Sequence, residues 1–304
     1  MAGVYGFVSE VHLADADPAV SGERFNFVNC GVVCNEEMAY NAENLRGTRS
    51  QAKEVARAGI RRVGGPLNLQ PTAVEMAKLL PWILGAAASG TTYALADTLP
   101  AKYVFVVRDD GTDGKFFAYN GCKVDRAVFH ATRGGPLMLD LDVVGIDETV
   151  SNAGSKATLS LDITSKPYMF FDLALVVNSV TINCESIEIA IDNKIDKDRF
   201  YNSQTLTMVN PTDRVITVKT RVPYGDAEAL YNAGPNGVTA TATFSASTSG
   251  PSAVVSLLFT FAALMFPRRS PLNQGKGEFL LPIEGEAKTS GSTKELVVTC
   301  DTTP

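Results

Sequence analysis

The 304-residue sequence has few of the residues on which enzymes rely for catalysis. It contains two histidines, His12 and His130, and it lacks a G-x-S-x-G nucleophile motif, a Walker loop and a G-x-G-x-x-G turn. His130 lies near the end of a predicted strand, where a partly exposed sheet residue is expected. Cys30 and Cys34 have no second Cys/His pair at zinc spacing. We therefore predict no catalytic residues, no cofactor and no metal, and a protein that is not an enzyme.

Export and membrane signals are also missing. The amino terminus has neither a basic segment nor an apolar one of the kind that a secretory signal requires, and the five cysteines are an odd number and widely scattered. Reduced thiols in a cytoplasmic product are the expectation. The most apolar run, residues 253–266, is shorter than the roughly 20 residues of a membrane span, so we predict a buried strand or strand pair there and no membrane partner.

The charge is acidic, with a net value of −6 and a pI of about 5.1. Such a chain repels nucleic acid unless its charges are segregated by face, which disfavours a protein that reads DNA sequence. An acidic surface does permit DNA to slide past without sticking. The length suits two ordinary domains or one large β domain, and 45% apolar and 20% charged residues are typical of a globular protein.

Alternation with a period of two dominates the pattern. Leu139, Leu141 and Val143 fall on one face of a predicted strand, with Asp140 and Asp142 on the other. Residues 187–192 and 216–222 alternate in the same way. Further strands are predicted at residues 103–107, 115–119, 238–246, 254–261, 278–285 and 295–300. The sequence therefore predicts a mainly β fold.

Two short helices interrupt the strands. Thr72 and Glu75 form an S/T-x-x-E capping box before an apolar helical stripe, and Pro81 is expected to end or kink that helix. For the second helix, Asp226 is the predicted N-cap and Gly234 the predicted left-handed residue after the C-terminus.

The two helices follow β segments at similar intervals, which points to an internal duplication. Each half gives an Asn-containing turn (Asn44, Asn193), a polar connection, a strand led by Arg62 or Arg214, a capped helix and several strands. The two sets of elements are offset by about 150 residues, which is the length of one ordinary domain. We predict two tandem β-sandwich or β-barrel domains, residues 1–148 and 149–304, each flanked by a short α-helix, with residues 146–157 as the connector. GGPL segments at residues 64–67 and 134–137 are predicted to be bends before strands.

A locally basic segment and two groups of carboxylates are the candidate sites. Arg46, Arg49, Lys53 and Arg57 surround a single acid, Glu54, and form either a solvated loop or short helix, or an arm that docks on an acidic neighbouring subunit. Asp140 and Asp142 lie side by side rather than across a cleft, so we predict a solvated or lumen-facing role and no acid/base catalysis. The carboxylates at residues 192, 196 and 198 lack EF-hand spacing and are predicted to form a polar turn.

Three stretches taken in order resemble the tail tube proteins of long-tailed bacteriophages. In chain order they are "IRRVGGPLNLQPTAVEMAKLLPWILGA", "NGCKVDRAVFHATRGGPLMLDLDVVG" and "EIAIDNKIDKDRFYNSQ" continuing through "DRVITVKTRVPYGDAEALY". None is a strict signature, and the succession carries the resemblance over roughly residues 40–300.

The resemblance implies a structural virion protein of β-sandwich or β-barrel domains, assembled in the host cytoplasm. Its rings would stack into a hollow tube through which phage DNA passes during ejection. A tandem chain implies a trimeric ring with pseudo-six-fold symmetry, and a hexameric ring is the alternative. Other tail proteins (tail tip, terminator and tape measure) would be partners. In the family, a long loop reaches the adjacent ring, a place taken here by residues 45–58 and their counterpart, residues 197–211, which include Arg199.

Other interpretations stay open. Asp140 and Asp142 would line the lumen or a subunit contact. The tube of a phage-derived injection system or of a gene transfer agent fits the same pattern. A monomeric carbohydrate-binding or adhesin module would need exposed aromatic residues, yet the one tryptophan, Trp82, lies in an apolar stretch where burial is expected. A hydrolase has only dispersed acids in its favour.

Overall fold

The computed structural model describes residues 9–15, 22–39, 56–108, 115–152, 159, 161–225, 232–247, 254–270 and 279–302. Strands dominate, which confirms the mainly β prediction. The one helix with both ends in this part of the chain is α1 (Ala73–Leu84). The strands are β1 (Ser9–Ala14), β2 (Glu23–Phe25), β3 (Phe27–Cys30), β4 (Val33–Ala39), β5 (Arg57–Leu69), β6 (Thr92–Ala94), β7 (Lys102–Arg108), β8 (Lys115–Thr132), β9 (Met138–Gly145), β10 (Asp147–Asn152), β11 (Leu173–Val177), β12 (Val180–Ile182), β13 (Ser186–Asp192), β14 (Val215–Pro223), β15 (Val238–Ser247), β16 (Val254–Met265), β17 (Leu280–Lys288) and β18 (Leu296–Asp301).

Two long strands, β8 and β16, connect the layers of the sandwich. The first part of β8 pairs with β7 and β10, and its second part pairs with β9 and β13. A register shift between Val124 and Arg126 marks the change of partners. In the same way, β16 pairs first with β15 and β18 and then, at residues 263–265, with β17. A strand that bends at a bulge can belong to two sheets, and this is how the sandwich turns its corners.

The largest of the hydrophobic clusters in the described residues lies around α1 and takes residues from both halves of the chain. Trp82 is fully buried, as predicted, and its indole N–H donates to the carbonyl of Cys122 at 3.0 Å. On the other side of the helix, the thiol of Cys300 lies 3.6 Å from the carbonyl of Ala73. The helix therefore packs against strands from both halves, β8 and β18.

The start of α1 follows the predicted capping box. Thr72 Oγ1 accepts from the Glu75 backbone N–H at 3.3 Å, and the Glu75 carboxylate accepts from the Thr72 backbone N–H at 2.9 Å. Thr72 Oγ1 also donates to Asp162 Oδ2 at 3.0 Å, which ties the cap to the second half of the chain. Burial raises the pKa of Asp162, but hydrogen bonds from residues 164–165 and Thr72 outweigh it and lower that pKa to about 2.

Pro81 does not end the helix, contrary to one of the two predictions for it. The helix continues through Pro81 to Leu84. The proline removes its own backbone N–H from the helix, and the carbonyl of Pro81 still accepts from the Gly85 N–H at 2.9 Å.

The same antiparallel pairings recur in the two halves. Strand pairs of the first half have counterparts in the second half. The pair β1–β2 matches β11–β12, β1–β7 matches β11–β15, β4–β5 matches β13–β14, β5–β9 matches β14–β17, β7–β8 matches β15–β16, β8–β9 matches β16–β17, and β8–β10 matches β16–β18. This recurrence supports the inferred duplication. The division into domains at residue 148 stays a prediction, since β8 also pairs with β13 and β6 with β18 across it.

Several local predictions need correction. The predicted connector at residues 146–157 contains a strand, β10, because residues 147–152 complete the ladder beside β8. The glycines of the first GGPL segment lie inside β5 rather than at a bend. They are needed because a Cβ on Gly65 would lie 2.1 Å from the carbonyl oxygen of Gly31. The second GGPL segment is a turn, as predicted, with Gly134 at φ 79°.

The second predicted helix falls largely on residues outside the described part of the chain, including Asp226. Residues 224–225 and 232–233 on either side are helical. The prediction for Gly234 was wrong, because the left-handed residue is Gly237, with φ 77°, and Gly234 begins a 3-10 turn (Gly234–Asn236). Gly234 is required for a different reason, since the ring of Phe266 would lie 2.3 Å from a Cβ at that position.

Candidate assembly surfaces

One continuous sheet has a polar, exposed face. Its strands pair in the order β5–β9–β8–β13–β14–β17, and their buried side chains alternate with polar ones on the opposite face. Because side chains alternate along a strand, this arrangement puts the polar residues of both halves on one surface. A groove in that surface is lined by residues that include His130, Thr132, Glu188, Lys219, Arg221 and Arg269.

The two predicted carboxylates of β9 lie on this face. Asp140 Oδ2 is 3.0 Å from His130 Nε2, and Asp140 Oδ1 accepts from the side-chain amide of Asn68. Asp142 is exposed and stands opposite Arg126 in the β8–β9 register. The shared face agrees with the sequence pattern. Their assignment to a lumen or a subunit contact stays a prediction.

Charges of both signs alternate across the face. In register order, His130, Glu188, Lys219 and Glu284 stand opposite one another on β8, β13, β14 and β17. Lys219 Nζ is 3.2 Å from Glu188 Oε1, and Arg269 Nη2 is 3.0 Å from Glu284 Oε2. The surface is therefore a mixed network of partly exposed ion pairs, and not the uniformly acidic wall that the net charge alone suggests.

The junction of the two halves lies where β13 pairs with β8, and one buried amide completes it. Asn193 is 3% exposed, and its side chain donates to the carbonyls of Val124 at 3.0 Å and Ile83 at 3.4 Å. Its backbone N–H donates to the Asp125 carbonyl at 2.7 Å. The Asp125 carboxylate accepts from the Ile195 backbone N–H at 2.7 Å. Asp125 is the extra residue at the bulge of β8, so the bulge supplies the acceptors for this contact.

Sequence reasoning missed this role of Asn193. The residue was assigned to a turn, which is a common place for asparagine, and nothing in the pattern indicates burial. No local signal marks it, because its two acceptors, the carbonyls of Val124 and Ile83, come from distant parts of the chain.

The segment that follows, residues 193–214, packs against the first half of its own chain. Phe200, Leu206 and Val209 are buried in a cluster with Leu99 and Val144. The predicted polar turn has its carboxylates in ion pairs: Asp192 with Lys194 at 2.6 Å, Asp196 with Arg199 at 2.6 Å and Asp198 with Arg62 at 3.0 Å. The Arg62 guanidinium also lies 4.8 Å from the Phe200 ring centroid.

The basic arm is only partly described. Arg46, Arg49 and Lys53 fall outside the described residues, and Arg57 is exposed at the start of β5. Arg199, in the counterpart segment, pairs with Asp196 of the same chain. Among the described residues, no hydrogen bond or ion pair joins Arg57 or Arg199 to Asp140 or Asp142. An inter-ring role for the arm stays a prediction.

Two segments form the ends of the extended sheet. Within the described residues, strands β3 and β4 pair along one side with β5, and at the other end β17 pairs with residues 263–265 of β16. Large apolar side chains are exposed near both ends: Val28 at 61% in β3, Met38 at 50% in β4 and Met265 at 42% at the end of β16. Open strand edges with exposed apolar side chains promote pairing with another chain.

The described residues contain no cluster of three or more His, Cys, Asp or Glu side chains placed to hold a metal ion. All five cysteines lie in this part of the chain and are free thiols. Burial raises the pKa of Cys122 to about 12 and that of Cys300 to about 11, so neither is an activated nucleophile at neutral pH. Where the structure describes a helix, none is long and apolar enough to cross a membrane.

These features define a mainly β protein of sandwich type with an exposed, mixed-charge sheet face. A family model described as phage tail tube protein matches residues 38–292, most of the chain. The chain therefore belongs to the phage tail tube protein family, and it is a structural component of the virion. No curated protein matches it.

Proposed function

We propose that the protein assembles with copies of itself into rings, and that the rings stack to form the tail tube through which DNA is ejected into the host. The observation that carries this proposal is one sheet that takes strands from both halves and that ends, within the described residues, at β3–β4 on one side and at β17 with residues 263–265 of β16 on the other. Two different edges on one molecule lead to head-to-tail association, which gives rings when the rotation closes.

The recurrence of pairings between the halves supports a trimeric ring with pseudo-six-fold symmetry. Each copy contributes two similar units that already meet through β8 and β13, so three copies supply six units. A hexameric ring is the alternative.

The polar sheet face is the surface that we assign to the lumen. Asp140 and Asp142 lie on this face together with basic side chains such as Arg126 and Lys219. Most of its charged side chains have a partner of opposite sign close by. Phosphates moving past such a wall meet neither a strong attraction nor a continuous repulsion. The protein acts as a conduit in this proposal and carries out no reaction.

The remaining roles rest on the family. The rings would meet tail tip, terminator and tape measure proteins, and assembly would take place in the host cytoplasm. The basic segment with Arg46, Arg49, Lys53 and Arg57 would contact the adjacent ring, together with Arg199. The tube of a phage-derived injection system or a gene transfer agent would use the same assembly. A sugar-binding module is less well supported, because Trp82 is buried.

Negative-stain electron microscopy of the purified chain over a concentration series tests the proposal. Rings or hollow tubes with a regular axial repeat are expected, and their rotational symmetry distinguishes three copies from six. Uniform particles of monomer size at every concentration, also after addition of preformed tail tips, would overturn it.

A further inference from the structure

The basic arm joins the described fold at the start of β5, through residues 57–62, which form the stem of the arm. We infer that residues 194–212 form a strap that fixes this stem and so positions the arm for its contact with the adjacent ring. The inference rests on the proposed role of the arm and adds a positioning device to it.

The stem has one strand neighbour among the described residues. It pairs with β4 along one edge, whereas the pairing of β5 with β9 begins only at Val63. A strand edge carries N–H and C=O groups that need hydrogen-bond partners. The second edge of the stem therefore depends on groups from outside the sheet.

Gln204, near the tip of the strap, takes the place of a strand partner there. Its backbone carbonyl accepts from the Arg61 backbone N–H at 2.7 Å, and its side-chain amide donates to the carbonyl of Ala58 at 2.7 Å. One residue thus supplies both an acceptor and a donor, as a neighbouring strand does. Because Gln204 is exposed, its side chain contributes little to the core, and its two bonds act mainly on the stem.

Side chains of the stem hold the strap through polar and apolar contacts. The Arg62 guanidinium donates to the Lys197 carbonyl at 3.2 Å and to Asp198 Oδ1 at 3.0 Å. It also lies 4.8 Å from the Phe200 ring centroid. Ile60 is partly buried against the apolar cluster that contains Phe200. An ion pair, a cation–π contact and apolar burial therefore supplement the two hydrogen bonds at the strap tip.

The strap is itself closed by bonds between its two limbs. Three backbone hydrogen bonds join them: the Thr212 N–H to the Lys194 carbonyl at 3.1 Å, the Asp196 N–H to the Asn210 carbonyl at 3.2 Å and the Thr207 N–H to the Arg199 carbonyl at 2.9 Å. Lys197 Nζ lies 2.5 Å from Asp125 Oδ2, which anchors one limb at the bulge of β8. A loop with these internal bonds has few alternative conformations, so its tip is a fixed point against which the stem is held.

Fixing the stem lowers the cost of placing the arm on its partner. A segment that is ordered before binding loses less conformational entropy when it binds. Arg57 directly precedes Ala58, so the strap acts within one residue of a basic side chain of the arm. Arg199 belongs to the strap itself, and the strap therefore places Arg57 and Arg199 relative to each other.

Amide hydrogen exchange and tube growth of the full chain test the inference. In the unassembled protein, Gln204→Glu should speed exchange in the stem by about tenfold, because a carboxylate cannot donate to the Ala58 carbonyl. The same variant should form rings normally but need about tenfold more protein for tube growth on preformed tail tips. Arg62→Gln, which removes the ion pair at the other contact, should act in the same direction.

Two control variants separate positioning from a general loss of stability. Asn202→Ala changes an exposed residue of the same strap and should leave exchange and growth unchanged. Thr72→Ala weakens the fold at the cap of α1 and should leave tube growth unchanged as well. Folding of each variant is checked by the emission of the buried Trp82.

The outcomes distinguish the strap from the proposed function. Normal tube growth of Gln204→Glu despite faster exchange in the stem, or an equal loss of growth in Thr72→Ala, would overturn the positioning role and leave the ring intact. Unchanged exchange in the stem would show that the strap does not fix it. Absence of rings and tubes from the wild-type chain at all concentrations would overturn the proposed function, and the inference with it.

Discussion

Replacing Asn193 by alanine should destabilise the protein more than its small change in volume suggests. The side chain is 3% exposed and donates to the carbonyls of Val124 and Ile83. Ile83 lies in the last turn of α1, where carbonyls lack a helical partner, and Val124 lies at the bulge of β8. Removing the amide leaves two buried acceptors without this donor. We expect a loss of about 2–4 kcal/mol in the free energy of unfolding, from about 1–2 kcal/mol for each acceptor.

The measurement is urea unfolding at a protein concentration too low for assembly, followed by the fluorescence of Trp82, the one tryptophan of the chain. The variant Asn202→Ala is the matched control, because Asn202 is exposed in the same segment, and a change within about 0.5 kcal/mol is expected. Asn193→Asp should be at least as damaging as Asn193→Ala at neutral pH, since a carboxylate cannot donate to the two carbonyls. If Asn193→Ala unfolds at the same urea concentration as Asn202→Ala, the assigned role of this amide is wrong.

Three further predictions concern the helix cap, acid stability and the arm. Thr72→Ala should lower the free energy of unfolding by about 1–2 kcal/mol, through loss of the cap and of the bond to Asp162, and Thr72→Ser should restore most of it in the same urea assay. Because the folded pKa of Asp162 is about 2, below its ordinary value of 3.8, its contribution is complete above pH 3.8 and is lost as the pH falls towards 2. Acid titrations of wild type and Asp162→Asn should therefore differ in slope between pH 4 and pH 2, and parallel curves would contradict this. Charge reversal at Arg46, Arg49 and Arg57 together should block stacking of rings while Trp82 emission stays native, and normal tube growth would exclude the arm.

The strand pattern could be predicted from the sequence, because each strand of the polar-faced sheet has one solvent-exposed face and one buried face. Asp140 and Asp142 alternate with Leu139 and Leu141, so the face on which the carboxylates lie follows from the period of two. The Thr72–Glu75 cap was accessible for a similar reason, since both partners lie within one turn of helix.

Partners distant in sequence were not accessible. The pairing of β8 with β13 and the burial of Asn193 depend on how two halves of the chain meet, and no local pattern encodes that contact. The same limit explains the errors at Gly65 and Gly234. A glycine in a sequence signals conformational freedom, whereas these two are required because Gly31 and Phe266 approach from elsewhere in the fold.

The sequence by itself thus determined the mainly β class, the capped helix, the internal duplication as a hypothesis and the resemblance to tail tube proteins, since all of these depend on local periodicity and on the order of segments. Only the tertiary structure decided which strands pair, because hydrogen bonds between strands join residues far apart in the chain. It also revealed that His130 meets Asp140 and that Arg269 meets Glu284 on one sheet face. Both contacts depend on strands that are far apart in the sequence and adjacent in one sheet, so no local pattern encodes them.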